Sequence, residues 1–282
     1  MDSFTEAIES AKIPLGDWIE AFVDFLNTYF FWFFDGLTQG LEVLIELLAE
    51  GMLFLPSPLL ILLFAGGAYW LHRSWKLSLF TVLALLLVIN LGYWEETVYT
   101  IALVLWATFI CLAIGVPLGI AAAHRPRLWA AMRPVLDMMQ TIPTFVYLIP
   151  ALIFFGLGLV AGLVATIIFA IPAPIRLTYL GVSSAPKPLM EAAESFGATK
   201  SQLLWKVEIP HALPTIMAGL TQCIMLSLSM VVIAAMVGAD GLGVPVLRAL
   251  NSVNVAKGFE AGLAIVVVAI IMDRICKQPG KG

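Results

Sequence analysis

The chain has 282 residues, of which 61% are hydrophobic and only 12% charged, and its formal net charge is −4. An ordinary soluble domain carries roughly 25% charged residues, so this composition describes a multi-span membrane protein. The charge is too small and dispersed for a nucleic-acid partner.

Met1 to Glu20 carry acids and lack a long apolar run behind a basic start, so they do not read as a cleaved signal peptide. From Ile13 to Glu50 the apolar residues include the cluster Tyr29-Phe-Phe-Trp-Phe-Phe34, but Asp24, Asn27, Asp35 and Gln39 interrupt them and acids recur at Glu42, Glu46 and Glu50. Residues 1–50 are therefore predicted to form amphipathic helices in the membrane interface, with Trp and Phe at headgroup depth. One weakly hydrophobic extra span is the alternative.

A bilayer core needs about 20 apolar residues per helix. Seven later runs qualify, at 52–71, 77–94, 98–123, 143–160, 162–180, 215–237 and 258–275. The first two make an accessory pair within 51–94, the remainder a main domain over 95–275, and 276–282 a tail. Lys and Arg favour cytoplasmic loops. Placing the 181–214 loop inside puts Arg73, Lys76, Arg125, Arg127, Arg133, Arg176, Lys187, Lys200, Lys206, Arg274, Lys277 and Lys281 on its side, leaving Lys12, Arg248 and Lys257 outside. The N-terminus then faces outward and the C-terminus faces the cytoplasm.

Unusual backbone residues gather in the third to fifth runs: Gly115-Val-Pro-Leu-Gly119, Gln140-Thr-Ile-Pro143, Pro150 and Pro172-Ala-Pro174, followed by Arg176. Proline in a span frees carbonyls that neighbours or water must satisfy, so such helices bend toward other helices or a cavity. Gln140, Pro143, Tyr147, Pro172 and Pro174 are the candidate hinge and pathway residues. Gly115 and Gly119 read as a close-packing face. Arg176 is expected to snorkel to the cytoplasmic interface, and Phe145, Phe154 and Phe155 read mainly as core.

Residues 188–214 form a polar island between apolar runs. Pro188 suits a first helical turn, Gly197 a left-handed cap, Thr199 with Gln202 a capping box, and Pro210 a stop, which spells two short helices with a bend. On the first, Met190, Ala193 and Phe196 share one side, flanked by Glu191 and Glu194, a compact face for a partner groove.

No ionisable residue falls at a predicted span midpoint, which disfavours a proton- or sodium-coupled carrier. The three cysteines, Cys111, Cys223 and Cys276, lack metal-ligand spacing and read as small core residues. No phosphate-binding Gly-x-x-x-x-Gly-Lys-Ser/Thr sequence or hydrolase motif occurs, and His72, His124 and His211 fall in predicted loops without matched partners. The chain reads as non-catalytic and without cofactor. A retinal receptor would want a lysine in the last span, and 258–272 has none.

Glu191-Ala192-Ala193, three residues, Gly197, nine residues, then Val207-Glu208-Ile209-Pro210 resembles the EAA loop of the membrane subunits of ATP-binding cassette importers. Leu136 to Pro150 and Ser227 to Gly243 narrow the resemblance to permeases for glycine betaine, proline betaine and choline, over roughly 95–275. Asp240 is similar to choline-type members.

The resemblance implies an all-helical type I importer fold in a prokaryotic cell membrane, paired as a homodimer with two cytoplasmic ATPases and served by an extracytoplasmic substrate-binding protein. It also implies ATPase coupling through Glu191, Ala192, Ala193, Phe196, Gly197, Gln202 and Pro210. A permease of the same superfamily for another small solute, such as an amino acid, and an ion-coupled secondary carrier stay open as alternatives.

Overall fold

The structure is a computed structural model and describes residues 14–277. The expectations for residues 1–13 and 278–282, including most of the predicted tail, lie outside the described residues. Among the described residues every regular element is helical.

Helix α1 (Leu15–Phe54) runs over 40 residues as two helical segments joined at a kink at Phe30. It ends where Pro56 can no longer donate to the helix ladder, and α2 (Ser57–His72) leaves at 106°. The run predicted from 52 is thus broken at Leu55–Pro56, and its first residues belong to α1. Trp18, Phe22, Tyr29, Phe31 and Trp32 are exposed along α1, a surface suited to lipid, while Ile45 and Ala49 are fully buried. Ile45 packs on Leu103 and Leu163, and the Trp106 indole nitrogen donates to the Leu44 carbonyl at 2.9 Å.

Helices α2 and α3 (Trp75–Asn90) form a hairpin turned by Arg73 in left-handed conformation. At 16 residues, α3 is about 24 Å long, short of a hydrocarbon core of about 30 Å. Helix α4 (Trp94–Ala123) is the first long span, with Glu95 and Glu96 in its first turn, where they meet the positive end of the helix dipole.

Helix α5 (Pro126–Thr141) gives way at Ile142–Pro143 to a 3-10 turn (Thr144–Tyr147) and the eight-residue α6 (Leu148–Phe155), bent 105° from α5. Residues 143–160 therefore do not form one straight helix, and α5 with α6 makes a bent pair. Gly156 and Gly158, both at positive φ, break the chain there, and the Gly158 N–H donates to the Val237 carbonyl at 2.8 Å. Helices α7 (Leu159–Ala170) and α8 (Pro172–Ser183) then run as one 25-residue span.

After α9 (Lys187–Ser195) and the single turn α10 (Lys200–Leu203) come a π-helical segment (Leu204–Glu208) and α11 (Ile209–Ala235). These last three read as one 36-residue helical run. Pro210 therefore does not stop the helix. Its ring cannot sit beside the carbonyl four residues back, and the wide π turn, with Ile209 N–H donating to Leu204 O, absorbs the conflict without ending the helix.

The sequence pattern missed α12 (Gly243–Asn251), a short amphipathic helix seated on α11. A Cβ at Gly243 would lie 2.2 Å from the Val231 carbonyl oxygen. Helix α13 (Val255–Cys276), capped by Asn254, closes the fold. Among the described residues four helices are long and apolar enough to cross a membrane, or six counting each bent pair as one, with α3 as a shorter apolar helix beside them. Of the seven expected runs, 98–123, 162–180, 215–237 and 258–275 fall on the four long helices, 52–71 and 143–160 on the bent pairs, and 77–94 on the short α3.

The core is built by close approach of α4, α8 and α11. A Cβ on Gly115 would meet Pro174 at 3.1 Å, one on Gly119 would meet Thr178 at 2.6 Å, and one on Gly219 would meet the Pro174 backbone at 3.3 Å. Pro174 is thus wedged between glycines of two neighbouring helices, as the small-residue reading of Gly115 and Gly119 expects.

At the other end of α4, the buried Thr100 hydroxyl donates to Glu96 O and accepts from Leu242 N, both at 2.8 Å. Thr100→Val keeps the shape but strands the Leu242 N–H. We expect it to cost about 1–3 kcal/mol, read as a lower thermal midpoint of the detergent-purified protein; an unchanged midpoint would show that this bond does not pin the loop.

Candidate functional site

The polar island folds as a helix–elbow–helix. Helix α9 buries none of its residues. It ends in a Schellman motif: Gly197, at φ +80°, donates to Glu194 O at 2.8 Å, and Ala198 N–H donates to Ala193 O at 3.1 Å. Thr199 then starts the next helix with a capping box, its N–H donating to Gln202 Oε1 at 2.8 Å and its Oγ1 accepting from Gln202 N–H at 3.3 Å. Leu203 anchors the far side in the core.

Four of the predicted coupling residues meet in this elbow. Ala193, Phe196, Gly197 and Gln202, with Ala198, Lys206 and Val207, line a shallow cavity of about 300 Å³. Phe196, at the tip of the elbow, is 93% exposed. Glu191 and Ala192 stand exposed on α9 outside that cavity, and Pro210 is exposed at the start of α11.

The hinge and pathway candidates are not gathered together. Gln140 and Pro143 are exposed at the bend after α5, whereas Pro172 and Pro174 are buried in the α8 junction. Tyr147 is buried, and its hydroxyl donates to the Met139 carbonyl, bracing the bend. Phe154 stacks on Phe34 at 4.4 Å between ring centroids and Phe155 meets the same ring edge-on, so both serve packing.

One ion pair and one histidine–carboxylate contact escaped the sequence reading. Arg176 does not snorkel alone: it lies within α8 and donates to Asp137 Oδ1 of α5 at 2.7 Å. Nearby on the same two helices, Trp129 stacks on Tyr179 at 3.7 Å.

His124, read as unpartnered, bonds Glu208 at 2.9 Å, and His72 lies 3.0 Å from the Ile275 carbonyl. The only local signal was Glu208 itself, a charge inside the apolar-x-apolar-Pro ending. At the end of α4 away from the loop, Glu95, Glu96, Tyr99, Asp240 and Arg248 line a polar cavity of about 250 Å³.

The family described as the binding-protein-dependent transport system inner membrane component matches residues 115–277. The chain is 48% identical over 95% of its length to the glycine betaine transport system permease protein OpuAB of Bacillus subtilis, covering 94% of that protein. It is 47% identical to the glycine betaine/carnitine transport permease protein GbuB of Listeria monocytogenes, over 95% of this chain and 96% of that one.

The choline transport system permease protein OpuBD of Bacillus subtilis is 33% identical over 59% of this chain and 70% of that one. Among solved structures, an inward-facing form of the MetNI methionine ABC transporter aligns with a TM-score of 0.56 at 24% identity, over 66% of this chain and 91% of that chain, a likeness of fold. With a family match over most of its spans and relatives alike along nearly its full length, the chain belongs to the inner-membrane permease components of binding-protein-dependent transport systems.

Proposed function

We propose that this chain is the permease subunit of an ATP-driven importer of quaternary ammonium solutes, glycine betaine before choline, and is itself non-catalytic. The observation that carries this reading is the ordered elbow at Gly197 with Phe196 fully offered, held by a helical run that passes directly into α11. A separate cytoplasmic ATPase docks there, a substrate-binding protein delivers the solute at the opposite end, and two copies of the chain enclose the route.

The distribution of charge supports the orientation. The His124–Glu208 contact puts the end of α4 beside the loop, and His72 meets the end of α13. The end rich in Arg125, Arg127, Lys200, Lys206 and Arg274 is thus the loop end, and it faces the cytoplasm, leaving the N-terminus outside.

The acidic and phenolic cavity at Asp240 and Tyr99 then opens outward, where it suits a solute with a positive centre. The greater identity to relatives named for glycine betaine favours that solute over choline, despite Asp240. A quaternary ammonium has no hydrogen-bond donor, so the permease needs a passable route and no tight polar site. ATP closes the ATPase dimer, the elbow moves, and the spans around α5 to α8 swing to open the route outward; hydrolysis resets it.

The test is uptake of labelled glycine betaine and choline by cells without amine importers that express this chain with its ATPase and binding protein. Uptake should need all three. Uptake by the chain alone would make it a carrier and remove the dock. Glu191→Lys should reduce the ATPase recovered with the tagged chain several-fold; undiminished recovery places Glu191 outside the interface.

A further inference from the structure

His124 and Glu208 join two elements that are 84 residues apart in sequence. His124 caps the C-terminal end of α4, and Glu208 closes the π segment that leads out of the coupling elbow. Glu208 is only 5% exposed, so its carboxylate has been taken out of water at the point where the loop becomes a span. His124 Nε2 lies 3.1 and 2.9 Å from the two Glu208 oxygens, and His124 Nδ1 lies 3.0 Å from the Ile120 carbonyl.

Both ring nitrogens of His124 face acceptors. A carbonyl oxygen can only accept, so the Ile120 contact is a hydrogen bond when Nδ1 carries a proton. A neutral ring would then turn the bare Nε2 lone pair toward carboxylate oxygens, which is repulsive. The contact is attractive only when the pair holds one more proton, as imidazolium and carboxylate or as their hydrogen-bonded equivalent.

Close to the pair in sequence are Arg125, Arg127, Lys206 and His211, while the packed helices α5 and α8 bring Arg133, Asp137, Arg176 and Tyr179. Among the described residues none of these lies in ion-pair contact with Glu208. His124 is the group that answers the buried carboxylate.

Glu208 is buried while the His124 side chain is 45% exposed, and such a half-exposed pair is a poor way to gain stability. What it supplies is a directional link that resists sliding. Helix α4 carries that link into the packed centre through Gly115 and Gly119 on α8, and on to Thr100, which holds the Leu242 loop at the far mouth.

We propose that the His124–Glu208 pair is a protonated strut that transmits the movement of the coupling elbow to α4, so that the coupling of ATP hydrolysis to transport weakens as the pair loses its proton. His124 and Glu208 are positioning residues, and the proposal rests on the importer reading given above.

The experiment uses the whole complex, permease with ATPase and binding protein, in proteoliposomes with equal pH on both sides. Glycine betaine moved per ATP hydrolysed is measured from about pH 6 to about pH 9, a range that brackets ordinary imidazole titration. The wild-type ratio should fall as pH rises. His124→Gln and Glu208→Gln should lower it about fivefold or more at the acid end of the range, and wild type should approach them as pH rises. His124→Lys, which keeps a cation at all these pH values, should restore the ratio and flatten the profile.

Ratios and profiles in His124→Gln and Glu208→Gln that match the wild type overturn the strut and leave the importer reading intact, even where thermal midpoints drop. A wild-type complex that moves no solute on ATP overturns the importer reading and the strut with it. Failure of His124→Lys to restore the ratio overturns the charge-based account.

Discussion

A chain carrying Gly197→Val, assembled with its ATPase, should still support ATP hydrolysis but import solute about tenfold more slowly, since a side chain in the left-handed region costs about 1–2 kcal/mol and β-branching adds to it. The cause is purely conformational. Nothing lies within 4 Å of a Cβ built at Gly197, so the substitution clashes with no neighbour. The φ of +80° is what valine resists, and relaxing it breaks the two Schellman bonds and rotates α9 away from the Thr199 capping box. Gly197→Asn, which tolerates the left-handed region, should retain most uptake. Equal uptake by the valine and asparagine variants would mean that the elbow angle is not what the ATPase reads.

Gly119→Leu should be strongly damaging to the packing of α4 on α8. A Cβ there would lie 2.6 Å from Thr178 Cβ and 2.7 Å from the Ile175 carbonyl oxygen, and the backbone of α8 has nowhere to go because Pro174 is already held against Gly115 and Gly219. Overpacking of this kind costs about 1–3 kcal/mol, which lowers a thermal midpoint by about 2–10 °C in a chain of this size. Gly262→Leu, where nothing lies within 4 Å of the new Cβ, is the control and should leave the midpoint unchanged. Similar midpoints for the two variants would show that α4 and α8 are not in the contact described.

What could be read from the residues alone was whatever is decided within a few positions. The capping box at Thr199 and Gln202, the left-handed Gly197 and the small-residue face of Gly115 and Gly119 are local or periodic, and they stand as expected. Boundaries failed where one proline or glycine overrode a long apolar run: Pro56 splits the first run, and Gly156 with Gly158 cuts residues 143–160 to the eight-residue α6. Pro210 failed in the opposite sense, because a helix can widen instead of ending.

The pairs Arg176–Asp137 and His124–Glu208 were invisible because each joins residues far apart in sequence. Neither partner has a periodic signature. Helix α12 was missed because nine residues are too few to stand out as a span, while its amphipathic pattern resembles a loop.

The wide turn at Leu204–Glu208 sets an angular phase. In a helix of 3.6 residues per turn each residue advances the chain by about 100°, and a π turn accommodates one residue more than the α-helical winding would. The face that the elbow presents below the seam is therefore clocked against the face that α11 presents to α8 above it by the backbone winding of this segment. Removing one residue between Leu204 and Glu208 would re-index the two, turning Phe196 and Glu191 away while leaving the span's own packing in place. The aim of the dock and the seating of the span are thus two independent settings of one continuous rod.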